Sequence, residues 1–106
     1  MGRTTPPLPL PVKRALRKLG ADIRDARKRR RIPADLLAQR ALTSRVTMAK
    51  VERGDPAVSI GVYANTLFAL GLVDRLGMVA DRVHDEVGLA LEDERLPQRA
   101  RRPIQE

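Results

Sequence analysis

The chain contains no cysteine and no tryptophan, and it has one histidine, one tyrosine and one phenylalanine. Without cysteine there is no disulfide framework and no cysteine zinc site, and His84 alone cannot form a conventional metal site. Because aromatic residues make up only 2% of the chain, the base-stacking platforms of single-strand RNA binders are not expected. No run of about 18 apolar residues predicts a membrane span, and the first residues lack the apolar core of a signal peptide. A soluble cytoplasmic protein is expected.

Motifs for catalysis are also missing. Neither Ser44 nor Ser59 lies in a Gly-x-Ser-x-Gly setting, and the seven glycines form no phosphate-binding loop or dinucleotide fingerprint. His84, Asp85 and Glu86 are adjacent, and adjacent side chains on a helix point in different directions. We therefore expect a protein that is not an enzyme and that needs no metal or cofactor.

Positive charge is abundant and unevenly distributed. The chain has 21 Lys and Arg against 13 Asp and Glu, a net charge of +8. Ten of the basic residues lie in 13–31 with only two acids, whereas 57–94 holds seven acids and two arginines. Residues 95–106 are basic again. This pattern predicts that one part of the molecule binds a polyanion and that another part has a different role.

Hydrophobic periodicity predicts an all-α domain of five helices. Apolar residues spaced by three and four predict a first helix from Val12 to about Arg30, with an inward face listed here: Val12, Leu16, Leu19, Ile23, Ala26. Short helices are predicted at about Ala34–Ala41, with Leu37 and Ala38 inward, and at about Arg45–Arg53, with Met48 and Val51 inward. Ser44 is a predicted N-cap and Gly54 a predicted C-cap.

The remaining helices are predicted from the same spacing. Ser59 caps a fourth helix that ends at Gly71 and turns four residues inward: Ile60, Tyr63, Leu67, Leu70. A fifth helix is predicted over about Val73–Val87, with an inward set of Leu76, Val79, Ala80, Val83. Gly88–Leu91 is a weak strand candidate. Residues 1–11 contain four prolines and predict a flexible extended arm, 12–87 form the helical domain that contains the motif described next, and 88–106 form a charged tail.

The second and third predicted helices together describe a helix-turn-helix. Such a motif places polar side chains near the N-terminus of its second helix in the major groove, while the back of that helix packs on the domain. Met48 and Val51 would form this back. The outward residues would be Arg45, Val46 and Lys50, which are candidates for base contact, and Ser44 and Thr47, which are candidates for backbone contact. The competing interpretation is an ordinary solvated helix face.

The stretch LAQRALTSRVTMAKVERG (Leu37–Gly54) resembles the Cro/repressor-type helix-turn-helix family, often called XRE. Leu37-Ala38 match the buried pair of its first motif helix, and Glu52-Arg53-Gly54 match its closing Glu-Arg-Gly. Upstream, Ile23–Arg31 resembles the family's first helix with its arginine, here Arg27. The resemblance implies a five-helix Cro/repressor-like fold and a structural ion pair between Arg27 and Glu52.

The chain departs from the family pattern at three positions. Leu42 stands where the family usually has glycine at the turn, and a left-handed conformation there costs a non-glycine residue about 1–2 kcal/mol. Thr43 replaces the apolar residue that follows this glycine. Ala34 replaces a glutamine that often opens the first motif helix and contacts phosphate, so one expected DNA contact is lost.

Four consecutive basic residues, Lys28, Arg29, Arg30 and Arg31, are candidates for contact with the DNA backbone. Phosphate contacts give affinity and salt dependence without sequence specificity. Basic residues also suit a helix C-terminus, where they complement the helix dipole, and both interpretations can hold together.

The stretch from Ala69 to Pro103, ending in LPQRARRP, resembles the C-terminal part of HipB-like antitoxins. That family implies a homodimer on a palindromic operator that represses its own operon and neutralises a HipA-like kinase toxin. Phe68, Val62 and Leu72 form either a dimer patch or a surface packed by the fifth helix. The alternatives are a solitary XRE-type transcriptional regulator and, from another class, a non-specific nucleic-acid-binding basic protein.

Overall fold

The computed structural model describes residues 7–95, which form six α-helices and one short 3₁₀ helix, Arg82–His84. The prediction of an all-α chain is confirmed, since no strand occurs within 7–95. None of the helices in this range is long and apolar enough to cross a membrane. The α-helices are α1 Leu10–Arg29, α2 Ala34–Arg40, α3 Arg45–Glu52, α4 Ile60–Ala69, α5 Val73–Leu76 and α6 Glu86–Arg95.

The chain divides into two compact units between Leu76 and Gly77. The first contains α1 to α5, and its core is built from small groups of residues on four helices. The most fully enclosed side chains include Ile23 on α1, Leu37 on α2, and Met48 and Val51 on α3. Burying each such side chain stabilises the fold by about 1.5–3 kcal/mol. The buried hydrophobic residues are Ile23, Ala26, Leu37, Ala38, Ala41, Met48, Val51, Tyr63, Leu67 and Leu70.

The helices α1 to α4 all end in the same way, with a Schellman arrangement. At the end of α2, Leu42 N–H donates to Gln39 O (3.1 Å) and Thr43 N–H donates to Ala38 O (2.9 Å). This arrangement satisfies carbonyls that the helix itself leaves without partners, and it requires a left-handed residue just after the helix. These four residues have φ of +55° to +78° and are Arg31, Leu42, Gly54 and Gly71.

The predicted starts of α3 and α4 are confirmed by capping. Ser44 Oγ accepts from Thr47 N–H (3.0 Å), and Ser59 Oγ accepts from Val62 N–H (3.2 Å). The predicted helices at 12–30, 34–41 and 45–53 match α1, α2 and α3 to within two residues at each end. Leu10 and Pro11, assigned to the extended arm, belong to the first turn of α1, and residues 1–6 of that arm lie outside the described range.

Two residues that were predicted to face inward, one on α1 and one on α4, are exposed instead. Val12 is exposed, since the buried residues of α1 begin only at Gly20. Ile60 is 73% exposed, because the buried face of α4 is centred on Tyr63, Thr66 and Leu70. Thr66 is fully buried and was not predicted; its hydroxyl donates to Val62 O one turn earlier (2.8 Å), which removes the cost of enclosing it.

The predicted fifth helix over 73–87 is wrong. The helix stops at Leu76, and turns and a 3₁₀ helix follow before α6. Asp81 Oδ1 accepts from Val83 N–H (2.9 Å) and Asp85 Oδ1 accepts from Gly88 N–H (3.0 Å), so two carboxylates cap new helical turns within the predicted span. Val79, Ala80 and Val83 are exposed rather than inward. The weak strand candidate at 88–91 is also wrong, because these residues lie in α6, which occupies the start of the predicted 88–106 tail.

Candidate nucleic-acid interface

Helix α3 is fixed to the first unit along one side. Met48 and Val51 are completely buried, and α3 packs against both α1 and α2. At its N-terminus, Ser44 caps the helix and its hydroxyl also donates to Thr47 Oγ1 (3.1 Å). The helix is therefore held as a rigid element whose opposite side is open to solvent.

The open side of α3 carries the predicted base-contact residues. Val46 is 68% exposed, and Arg45 and Lys50 are also exposed. At 100° per residue, Val46 projects almost directly away from Met48 and Val51, Lys50 lies about 130° from their mean direction, and Arg45 projects from the flank. All three side chains are accessible to a ligand that lies along this side.

Sequence reasoning missed two residues of the same side, Ala49 and Arg53, which are both exposed. Their spacing of three and seven from Val46 places them on its face of the helix, so the period that identified Met48 and Val51 also identifies them. Ala49 leaves a close approach to the helix open between two longer side chains, Val46 and Lys50. Arg53, the C-cap residue, adds a cation at the far end.

An ion pair joins the end of α1 to the end of α3. Arg27 Nε donates to Glu52 Oε2 (2.6 Å), Nη2 donates to Oε1 (3.1 Å), and Nη1 donates to Ile32 O (2.9 Å). The two side chains are only 13% and 10% exposed. The hydrogen bond to Glu52 is the main cause that raises the pKa of Arg27, against the opposing effect of burial. The structure thus contains the pair that the family resemblance implies, and the pair positions α3 rather than offering a surface for DNA.

A glycine allows the backbones of α1 and α3 to approach closely. A Cβ atom at Gly20 would lie 2.7 Å from Val51 O and 2.8 Å from Glu52 O, and it would also collide with the backbone nitrogen of Gly54. Such contacts are shorter than real Cβ contacts, so only glycine fits without a backbone shift. This close approach and the Arg27–Glu52 pair fix α3 at two neighbouring points.

The basic residues at the end of α1 are exposed, but two of them make contacts within the protein. Arg29 Nη1 donates to Asp25 Oδ2 (2.5 Å) in an exposed ion pair, and Arg30 Nη1 donates to Ala26 O (2.9 Å). The contact of Arg30 corresponds to the second interpretation given above, in which basic residues stabilise the C-terminus of the helix. Lys28 and Arg31 are exposed, and Arg31 takes the left-handed conformation after the helix.

Charge differs sharply between the two units. Within the described range, 7–76 holds 15 basic and 6 acidic residues, whereas 77–95 holds 2 basic and 6 acidic residues. The first unit therefore attracts polyanions, and the second does not. The basic residues after position 95 lie outside the described range.

The turn between α2 and α3 contains an exposed apolar residue in a strained conformation. Leu42 has φ +60° and is 85% exposed. The left-handed position expected for the turn is thus occupied by leucine, and the structure supplies no buried contact that compensates for it. Thr43, which follows it, is half-buried.

His84, Asp85 and Glu86 are all exposed, and Asp85 acts as a helix cap. In the part of the chain that the structure describes, no group of three or more His, Asp or Glu is placed to hold a metal ion. Comparison of the chain with protein-family models, with curated proteins and with solved structures found no match.

Proposed function

We propose that this chain is a sequence-specific double-stranded DNA-binding protein of the helix-turn-helix type that acts as a transcriptional repressor. In this proposal α2 and α3 are the two motif helices and α3 is the recognition helix. The observation that carries the proposal is the two-sided character of α3: Met48 and Val51 are fully buried, while Val46 faces solvent directly opposite them and Lys50 is exposed beside it.

The dimensions of α3 suit the major groove. A helix is about 10–12 Å wide with its side chains, and the major groove is about 12 Å wide. The eight residues of α3 span about 12 Å along its axis. One such helix can reach three or four base pairs, and its fixed attachment at Arg27–Glu52 keeps it from rotating in the groove.

The exposed side chains have the chemistry that base edges require. An arginine such as Arg45 donates two hydrogen bonds to guanine O6 and N7, and Lys50 can donate to the same acceptors. Val46 offers an apolar contact to a thymine methyl group. Thr47 and Ser44, at the start of the helix, would lie beside a phosphate, where hydroxyl groups and the helix N-terminus both favour an anion.

Non-specific affinity would come from the end of α1. Arg29 has an exposed ion pair with Asp25, which is weak enough for a phosphate to replace, whereas Arg30 keeps a part-buried hydrogen bond to Ala26 O. Lys28 and Arg31 add two further exposed cations. This group would supply the salt-dependent part of binding.

We further propose that the chain binds a palindromic operator as a homodimer through α4. No charged residue occurs in 57–73, in a chain of which 32% is charged, and Phe68 is 71% exposed on this helix. Two copies of a strongly basic unit repel each other, so an uncharged apolar face is the one on which they meet most favourably. Val62 and Leu72, by contrast, pack against the core.

The second unit supports a second candidate function, the antitoxin of a HipA/HipB-like operon. Val79, Val83, Val87 and Leu91 are all exposed, at a constant spacing of four, in an acidic segment. Exposed apolar residues of this kind favour a protein partner. Co-purification from the native operon tests this role: a kinase toxin retained by the wild-type chain and lost with Val83→Ser and Val87→Ser supports it, and a solitary regulator shows no such partner.

The proposed DNA binding is tested by selection from a pool of random duplexes. The wild-type chain is expected to enrich a palindromic motif, and Arg45→Ala is expected to relax one base pair per half-site by about 1–3 kcal/mol. Lys28→Ala is the matched control: it should weaken all duplexes equally and reduce the salt slope by about 1. Equal affinity for every duplex would instead support a non-specific nucleic-acid-binding protein.

A further inference from the structure

A cavity of about 420 Å³ lies where the first half of α1 meets the end of α3. Three cationic side chains line it, Lys13 and Arg17 from α1 and Arg53 from the C-cap of α3. The volume falls within the range of small-ligand sites. Lys13 and Arg17 lie outside the face that the sequence assigned to DNA, whereas Arg53 lies at the far end of the open side of α3.

The fold brings two of these residues, Arg17 and Arg53, to one helix crossing. Leu16 and Arg17 pass so close to Gly54 that a Cβ there would lie 2.8 Å from Arg17 Cα and collide with Leu16 O. Gly20 secures the same crossing one turn further along α1. Arg53 precedes Gly54 directly, so the crossing brings the Arg17 and Arg53 backbones into proximity. Like charges held in one concave site repel each other, and an anion between them removes this repulsion.

The charge and the walls of the cavity define the ligand further. Among residues 7–95, Asp55 is the one acidic residue that lines it, and Asp55 Oδ1 already accepts from Ala57 N–H (2.8 Å). Three cations against one carboxylate leave a net charge of +2, which matches a phosphate monoester of charge −1.5 to about −2 at pH 7 and exceeds the single negative charge of a DNA backbone phosphate. The remaining side-chain walls are apolar: Leu8, Leu16 and Pro56.

We propose that this cavity is a phosphate site, in which Lys13, Arg17 and Arg53 bind the phosphate and the apolar walls contact the group that carries it. A phosphate could come from a free phosphorylated small molecule or from the backbone of bound DNA outside the recognised bases. Because Arg53 ends α3, a phosphate bound here would join α1 to the recognition helix. Only the DNA source rests on the proposed function.

The test uses phenyl phosphate and inorganic phosphate as probes and amide chemical shifts as the measurement. Phenyl phosphate is expected to shift the amides of Gly54 and Asp55 saturably and to bind more tightly than inorganic phosphate. The double variant Arg17→Gln with Arg53→Gln should weaken its binding about fivefold. The matched control, Arg14→Gln with Lys18→Gln, removes the same charge from α1 outside the cavity and should change binding less than twofold. Unchanged amide shifts elsewhere show that both variants fold.

A 20-base-pair duplex distinguishes the two sources. If the site holds a DNA phosphate, the slope of log affinity against log salt falls by about 1 more in the cavity variant than in the control, since one phosphate contact is lost. If the ligand is a free small molecule, the salt slopes of the two variants agree, and phenyl phosphate still binds the cavity variant more weakly than the control. Two results together overturn the proposal. The first is that phenyl phosphate gives no shifts, gives shifts that do not saturate, or binds equally weakly to both variants. The second is that the two salt slopes also agree. A protein that binds phenyl phosphate but no duplex keeps this site and loses the proposed function.

Discussion

The Arg27–Glu52 pair provides the sharpest prediction about stability. Arg27→Met keeps the length of the side chain but removes three hydrogen bonds and leaves Glu52 as a carboxylate only 10% exposed. Removing one partner of a buried ion pair costs about 3–5 kcal/mol, and we expect the lower end because the site retains some solvent. A loss of about 3 kcal/mol is large for a unit of this size, whose whole free energy of unfolding is about 4–10 kcal/mol.

A double variant separates the ion pair from the packing. In Arg27→Met with Glu52→Leu, no charge remains to be buried, and only the carbonyl of Ile32 loses its donor. The double variant should therefore be about 1 kcal/mol less stable than the wild-type chain. A double-mutant cycle should give a coupling energy of about 2 kcal/mol or more between the two positions.

Urea unfolding followed by circular dichroism measures these differences, since the chain has no tryptophan for fluorescence. Arg29→Met is the control, because it removes an exposed ion pair at the end of the same helix and should cost less than about 0.5 kcal/mol. The reasoning is refuted if Arg27→Met costs no more than Arg29→Met, or if the effects of Arg27→Met and Glu52→Leu simply add.

Three further predictions concern the turn, the helix crossing and pH. Leu42→Gly should stabilise the protein by about 0.5–1 kcal/mol in urea unfolding, because φ is +60° there; a loss of stability would contradict the strain. Gly20→Ala should cost about 2–3 kcal/mol, since its Cβ meets backbone atoms, whereas Gly61→Ala, which has only a 3.7 Å contact, should not destabilise; similar melting temperatures would contradict the close crossing. Burial and the charge of Asp55 raise the pKa of Tyr63, the only tyrosine, above its usual 10.0. Stability from Tyr63 is then fully present below pH 10.0 and is lost as pH rises through the folded pKa; an ultraviolet titration that gives the ordinary value would contradict this.

Most of the first unit could be predicted because its sequence is locally consistent. Ser44 and Ser59 cap helices whose buried residues recur at spacings of three and four, and Gly54 and Gly71 end them. Each of these features acts within a few residues of the chain, so the printed sequence contains the information. Leu42 is an exception to this local consistency, since the turn takes its left-handed conformation although leucine disfavours it.

The second unit could not be predicted because, within 77–95, no core covers the regularly spaced apolar residues. Val79 and Val83 fit a helix that continues from α5, yet both are exposed within 77–95. Periodicity predicts a helix only when a core covers the apolar face, and here the capping by Asp81 and Asp85 decides the local structure.

The candidate site was predictable where it follows from one helix and not where it depends on two. Arg45, Val46 and Lys50 could be selected by spacing from the buried residues of α3. The cavity between α1 and α3 depends on the crossing at Gly20 and Gly54, which are far apart in sequence. No spacing rule within one helix brings Arg17 and Arg53 together.

The direct test of α3 as a recognition helix uses the absence of cysteine. Val46→Cys gives a single thiol on the open side of α3, and Arg75→Cys gives one on α5 of the same unit. With an iron chelate attached and a duplex from the selection bound, we predict strand cleavage confined to the selected base pairs from position 46 and little cleavage from position 75. Cleavage that is equal from both positions, or spread evenly along the duplex from position 46, would contradict the placement of α3 in the groove.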